Sequence, residues 1–135
     1  MELSSLLAST KKIKMPFPGK EGFIVTIAYI SKEVMRSIAE KCKTVGFDSK
    51  SGQATETLDE ELFIKLYTEK SLVDWQGLKY EYLTDLILVE ESSLPKEGFL
   101  EYTPTSAVTL VSNSKAFDSW ITGIMSDISL FNRGS

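Results

Sequence analysis

Apolar residues along the chain occur in one dense run and several periodic stripes. Phe23-Ile24-Val25-Thr26-Ile27-Ala28-Tyr29-Ile30 is β-branched and aromatic almost throughout and too short for a buried helix, so it predicts a buried strand. Ser31 then offers a hydroxyl as an N-cap, and Glu33 lies near the positive end of the helix dipole. Val34, Met35, Ile38, Ala39, Cys42 and Val45 follow on one helical stripe, which predicts a helix to about Val45 stopped by Gly46.

The polar stretch from Phe47 to Glu56 reads as a loop or loose hairpin. Thr57-Leu58-Asp59-Glu60 matches a capping box, so a second helix is expected from Thr57 to about Trp75. Its apolar face carries Leu58, Leu62, Leu66 and Val73 with Phe63 and Tyr67, and Gly77 interrupts it. Lys79 to Val89 reads as a short third helix, followed by a turn around Pro95. Thr103-Pro104 combines a capping hydroxyl with a proline pre-shaped for the first helical position, predicting a helix to Val111. Ser114 offers another cap, after which Phe117, Trp120, Ile121, Ile124, Met125 and Ile128 mark a helix running to Leu130.

The first 22 residues break this regularity with Pro16, Pro18, Gly19 and Gly22 among Lys11, Lys12 and Lys14, and are expected to form a flexible arm. Residues 23–131 then form a single globular domain. The fold expected is mainly α, four or five helices around one core with a small N-terminal β element at Phe23 to Ile30. A chain of 135 residues with 42% hydrophobic content needs no metal or disulfide to hold such a core.

Charge and chemistry narrow the function. The net charge of −4 offers no long-range attraction for nucleic acid or an anionic membrane surface, and neither is expected as a partner. The apolar patch at Met1 to Ala8 precedes its lysines, opposite to the order in a secretory signal, and no run reaches the ~20 residues of a spanning helix. The single cysteine, Cys42, excludes an internal disulfide and suits a reducing cytoplasm; on its stripe it reads as a small core residue. Arg133-Gly134-Ser135 reads equally well as native sequence or as a cloning remnant.

The absence of histidine removes the usual base near neutral pH and, with one cysteine, any Cys/His zinc site. Serine-lysine catalysis at Ser31-Lys32 or Ser114-Lys115 is disfavoured because adjacent helical residues do not face each other. The carboxylates of Glu56, Asp59, Glu60 and Glu61, and of Glu90, Glu91 and Glu97, lack calcium-loop spacing and read as helix-start and loop charge. Gly19 and Gly22 precede a strand and form no phosphate loop. No catalytic, cofactor or metal residues are assigned and no enzyme is expected. Lys11, Lys12, Lys14 and Lys20, with Phe17 between them, read either as a solubilising tail or as a dock for an acidic partner. Trp75 and Trp120 read as core residues or interface anchors.

The succession of these residues resembles the tail assembly chaperones of long-tailed bacteriophages with flexible tails, from about Pro16 to Phe131. The matching segments are Pro16-Phe17-Pro18-Gly19 with Gly22-Phe23; Ala28-Tyr29-Ile30-Ser31-Lys32-Glu33; Lys41-Cys42; Asp74-Trp75-Gln76-Gly77-Leu78-Lys79; Leu100-Glu101-Tyr102-Thr103; Asn113-Ser114 with Phe117-Asp118-Ser119-Trp120; and Asp127-Ile128-Ser129-Leu130-Phe131. The resemblance implies a mostly helical domain that coats the tape measure protein in the host cytoplasm while tail tube protein assembles around it. It also implies departure before the virion is complete, self-association, and a longer frameshifted form of the same chain. It brings no catalytic motif. Such a task calls for an adaptable apolar groove, for which the helix from Ser114 to Leu130 is the candidate, without individual binding residues. Two other classes stay open: a structural virion component such as a tail-completion or tube-associated protein, and a small enzyme using carboxylates or a serine without histidine.

Overall fold

The computed structural model describes residues 1–8, 10–47 and 49–134. The dense run forms a strand as expected, β2 (Ile24–Ala28), but it is the centre of a sheet. β1 (Lys12–Pro16) pairs antiparallel on one side of it and β5 (Leu72–Gln76) on the other. Side-chain alternation explains the stability of this arrangement. Ile13, Ile27 and Leu72 form one inward row, and Met15, Val25 and Trp75 form the next. Lys14, Thr26 and Asp74 lie in register on the opposite face. The register shifts between Thr26 and Ile27, so that Val73 is passed over and Leu72, not Val73, lies opposite Ile27.

Three C-terminal helices complete this core: α3 (Pro104–Asn113), α4 (Lys115–Met125) and α5 (Ile128–Gly134). Ala107 and Leu110 of α3, Phe117, Ile121 and Ile124 of α4, and Phe131 of α5 pack with the inward rows of the sheet. The expected caps are in place. Thr103 Oγ1 accepts from Ser106 N–H at 3.0 Å with Pro104 opening the helix, and Ser114 Oγ accepts from Phe117 N–H at 3.1 Å.

A second, smaller cluster is built by α1 (Lys32–Cys42) and α2 (Glu60–Ser71), where Ile30, Ile38 and Cys42 meet Leu62, Phe63, Leu66 and Tyr67. Met125 joins the two clusters, and its sulfur accepts from Ile30 N–H at 3.3 Å. Between α1 and α2 the chain forms an antiparallel ribbon of β3 (Lys43–Phe47) and β4 (Ala54–Leu58).

The fold is therefore mixed α/β with two antiparallel sheets, which corrects the expectation of a mainly α domain with one small β element. Each departure has a local cause. Residues 12–16, expected within a flexible arm, are held by five register pairs to β2. The first helix stops at Cys42, three residues short of Val45, because the chain from Lys43 onward pairs with β4. Thr57 lies in that ribbon, and the cap of α2 is Asp59, whose carboxylate accepts from Leu62 N–H at 3.1 Å. The apolar face read through to Trp75 changes period after Ser71, where Leu72 and Trp75 turn into the sheet. Lys79 to Val89 holds a 3-10 turn at Tyr80–Asp85.

The long helix expected from Ser114 to Leu130 is divided after Met125. Asp127 there accepts from Ser129 N–H at 3.2 Å and opens α5. Gly77 has φ +74, and a Cβ at that position would lie 1.9 Å from the carbonyl oxygen of Gly22. Only glycine lets the end of β5 approach the turn before β2 this closely.

Candidate functional site

The division after Met125 aims α5 at one end of the three-stranded sheet. Phe131 is buried there against Tyr29, their rings edge-to-face at 5.0 Å. Tyr29 follows β2, and its N–H donates to Lys11 C=O at 2.9 Å, which ties the chain before β1 to the same end. Upstream, a 3-10 turn at Leu3–Leu6 runs alongside, with Ser5 N–H donating to Glu2 C=O at 3.1 Å.

These segments enclose an open cleft of about 490 Å³ lined by Leu6, Leu7, Tyr29, Ile128 and Phe131, with Lys11 and Lys32 among its polar wall residues. Its apolar lining continues onto the surface. Among the lining residues Leu7 is 74% exposed and Ile128 is 55% exposed. Apolar side chains left this accessible around one cleft mark a binding surface more often than an incidental one. The rim is cationic: α1 begins at Lys32, and Lys11 precedes β1. Ser31 beside them is occupied as the cap of α1, accepting from Val34 N–H at 3.2 Å.

The residues singled out by sequence are dispersed. Trp75 is buried, its indole N–H donating to Leu100 C=O at 2.9 Å and its ring edge-on to Tyr102 at 5.1 Å, so it is a core residue. Trp120 is half-buried in an aromatic cluster with Phe17 at 4.8 Å and Phe117 at 5.9 Å. Phe17 is thus an internal anchor of the N-terminal segment. The four lysines divide: Lys11 lines the cleft, Lys12 and Lys14 stand on exposed positions of β1, and Lys20 is paired with Asp85 and lies 5.6 Å from the Tyr82 ring centroid.

Cys42 is buried, and burial, followed by the charge of Asp59, pushes its thiol above the ordinary value. A thiol held protonated in this way is a poor nucleophile at neutral pH. Asp59 is committed to capping α2, and Glu60 and Glu61 lie in the first turn of that helix. Glu56 lies on β4, 4.0 Å from Lys43, whose ammonium is held above its ordinary pKa by a hydrogen bond to Glu40 and by the charges of Glu40 and Glu56. Among the described residues no three histidine, cysteine or acidic side chains are grouped to hold a metal ion. Both serines of the adjacent serine-lysine pairs accept capping hydrogen bonds.

The sequence reading missed the cleft because its walls come from distant segments. In the sequence Ile128 continues the stripe of the preceding helix, and Leu6 and Leu7 lie in a segment expected to be flexible. The available signal was an apolar N-terminal cluster with no amphipathic helix of its own to bury it. No helix of the described residues is long and apolar enough to cross a membrane. Comparisons with protein-family models, with curated proteins and with solved structures return no match to this chain.

Proposed function

We propose that this chain is a protein-binding module that chaperones the tape measure protein during assembly of a flexible phage tail, acting in the host cytoplasm. The observation that carries the binding role is the open apolar cleft at the sheet end, whose lining includes exposed Leu7 and Ile128 and is rimmed by Lys11 and Lys32. A cleft of this size accepts apolar side chains from one face of a helix, and the lysine rim favours acidic residues flanking them. The tail-assembly assignment is supported by the succession of sequence segments from Pro16 to Phe131. Two of those segments, around Tyr29 and around Ile128, contribute walls of the cleft.

A long client with many apolar segments is served by repeated weak contacts, and several copies bound along it gain in effective concentration. Co-expression with the tape measure protein of the same phage, followed by size-exclusion chromatography with light scattering, tests this reading. The expected result is a soluble complex with several copies of this chain per client. Separate elution with an aggregated client contradicts it.

A structural virion role is the second reading, favoured by the β3–β4 ribbon, whose side chains from Ala54 to Leu58 are all exposed and whose strands pair with no other strand among the described residues. Peptide mapping of purified particles separates the two: the chaperone is absent from them, and the structural component is present.

A further inference from the structure

The β3–β4 ribbon stands apart from both apolar clusters. Every side chain of Ala54–Leu58, together with Lys43, Thr44 and Val45, is exposed, and neither strand pairs with any other strand among the described residues. A lone two-stranded ribbon is marginally stable in water and gains from a third strand.

Its register determines where such a strand would pair. Asp59 N–H donates to Cys42 C=O at 2.8 Å, and with Thr44 opposite Thr57 and Gly46 opposite Thr55 this sets the alternation of the antiparallel ladder. Residues 42, 44 and 46 direct their main-chain groups across the ribbon, so Val45 directs its N–H and C=O outward from β3, as Glu56 does from β4. The intervening Lys43 N–H is already taken by Glu40 C=O.

We propose that the outer edge of β3 is a self-association surface, on which two copies of this chain pair antiparallel about a two-fold axis at Val45. At that register Val45 N–H donates to the carbonyl of Val45 in the second copy and accepts the equivalent bond in return. The ribbons form a four-stranded sheet ordered β4-β3-β3-β4, and two side chains that are each 66% exposed in the single chain meet across the seam. The charge pattern selects this edge. The symmetric alternative through β4 would place Glu56 directly against its own copy, a like-charge pair that opposes association. The β3 seam places no charge opposite a like charge. A seam of so few residues is smaller than the interfaces of permanent dimers, so the dimer is reversible and depends on concentration. It needs no client and does not depend on the client's identity.

The test is oxidative cross-linking of the full chain carrying Val45→Cys, with Glu97→Cys on an exposed loop as the collision control. Hydrogen-bonded antiparallel partners lie about 5.5 Å apart at Cα, within disulfide reach, and buried Cys42 stays inert. The expected result is a disulfide-linked dimer for Val45→Cys formed well ahead of the control. Sedimentation should show Val45→Lys weakening the wild-type dimer by about tenfold or more with an unchanged melting temperature, while Glu56→Lys leaves the dimer intact. A wild-type chain that stays monomeric at every concentration, with Val45→Cys no faster than the control, overturns the proposal. Loss of association on Glu56→Lys with none on Val45→Lys also overturns it, by placing the contact on β4.

Discussion

Two β structures in this molecule differ in what surrounds them. β2 is flanked by strands on both edges, and Val25 and Ile27 are sealed beneath α4 and its neighbours. The β3–β4 ribbon is held by its own ladder, by threonine contacts across it, with Thr44 Oγ1 donating to Thr57 C=O at 3.2 Å and Thr55 Oγ1 to Gly46 C=O at 3.3 Å, and by the exposed Lys43–Glu56 pair at 4.0 Å. β2 is therefore stabilised chiefly by apolar burial, whereas the ribbon relies on hydrogen bonds that exchange with water at little net gain. Packing decides stability in the body, and availability to a partner decides the use of the ribbon.

That contrast is broken most severely from the body. Phe117 is fully buried against Phe17, Phe23 and Trp120, so Phe117→Ala is expected to cost about 3–5 kcal/mol in urea unfolding. Gly77→Ala forces a side chain into a left-handed backbone position and against the Gly22 carbonyl, with an expected loss of about 1–3 kcal/mol by the same measurement.

High pH gives a smaller effect that belongs to the body and not to the ribbon. Burial, with a lesser contribution from neighbouring carboxylates, raises the thiol of Cys42 and the phenols of Tyr67 and Tyr102. The folded chain therefore holds these protons more tightly than the unfolded one. The stability they contribute is complete below the ordinary values, 9.0 for the thiol and 10.0 for the phenols, and is lost as pH rises through the raised ones. The melting temperature should fall above about pH 9 and fall less steeply in Cys42→Ala. Thr57→Ala in the ribbon is expected to change stability by no more than about 0.5 kcal/mol. An equal effect of Thr57→Ala and Phe117→Ala would abolish the distinction between the two regions.

The same contrast explains what was legible in the sequence. The caps at Ser31, Thr103 and Ser114 are local chemistry, and each was read where it stands. The central strand was read from its β-branched run, two residues too long at its C-terminal end. β1 carries a period-two signal in Lys12-Ile13-Lys14-Met15, which the surrounding prolines and glycines obscured. β5 was hidden because Leu72, Val73 and Trp75 continue the apolar character of the helix before them. Only pairing with β2, roughly fifty residues away, makes them a strand. The sequence suggests a loop or loose hairpin only from Phe47 to Glu56; Lys43-Thr44-Val45 extends the stripe of α1, Thr57-Leu58 reads as the start of α2, and nothing local forbids a helical turn at either end of the ribbon. The cleft was least legible of all, because it exists only once α5 breaks from α4 and meets Tyr29 and the N-terminal leucines.

The central claim is that this cleft binds the client. Its most direct test is calorimetric titration of soluble tape measure fragments into the wild-type chain and into Leu7→Glu/Ile128→Glu, with melting temperatures measured alongside. Both side chains are exposed, so the account predicts an unchanged melting temperature and a loss of affinity of about tenfold or more. Equal binding by the two proteins would contradict it.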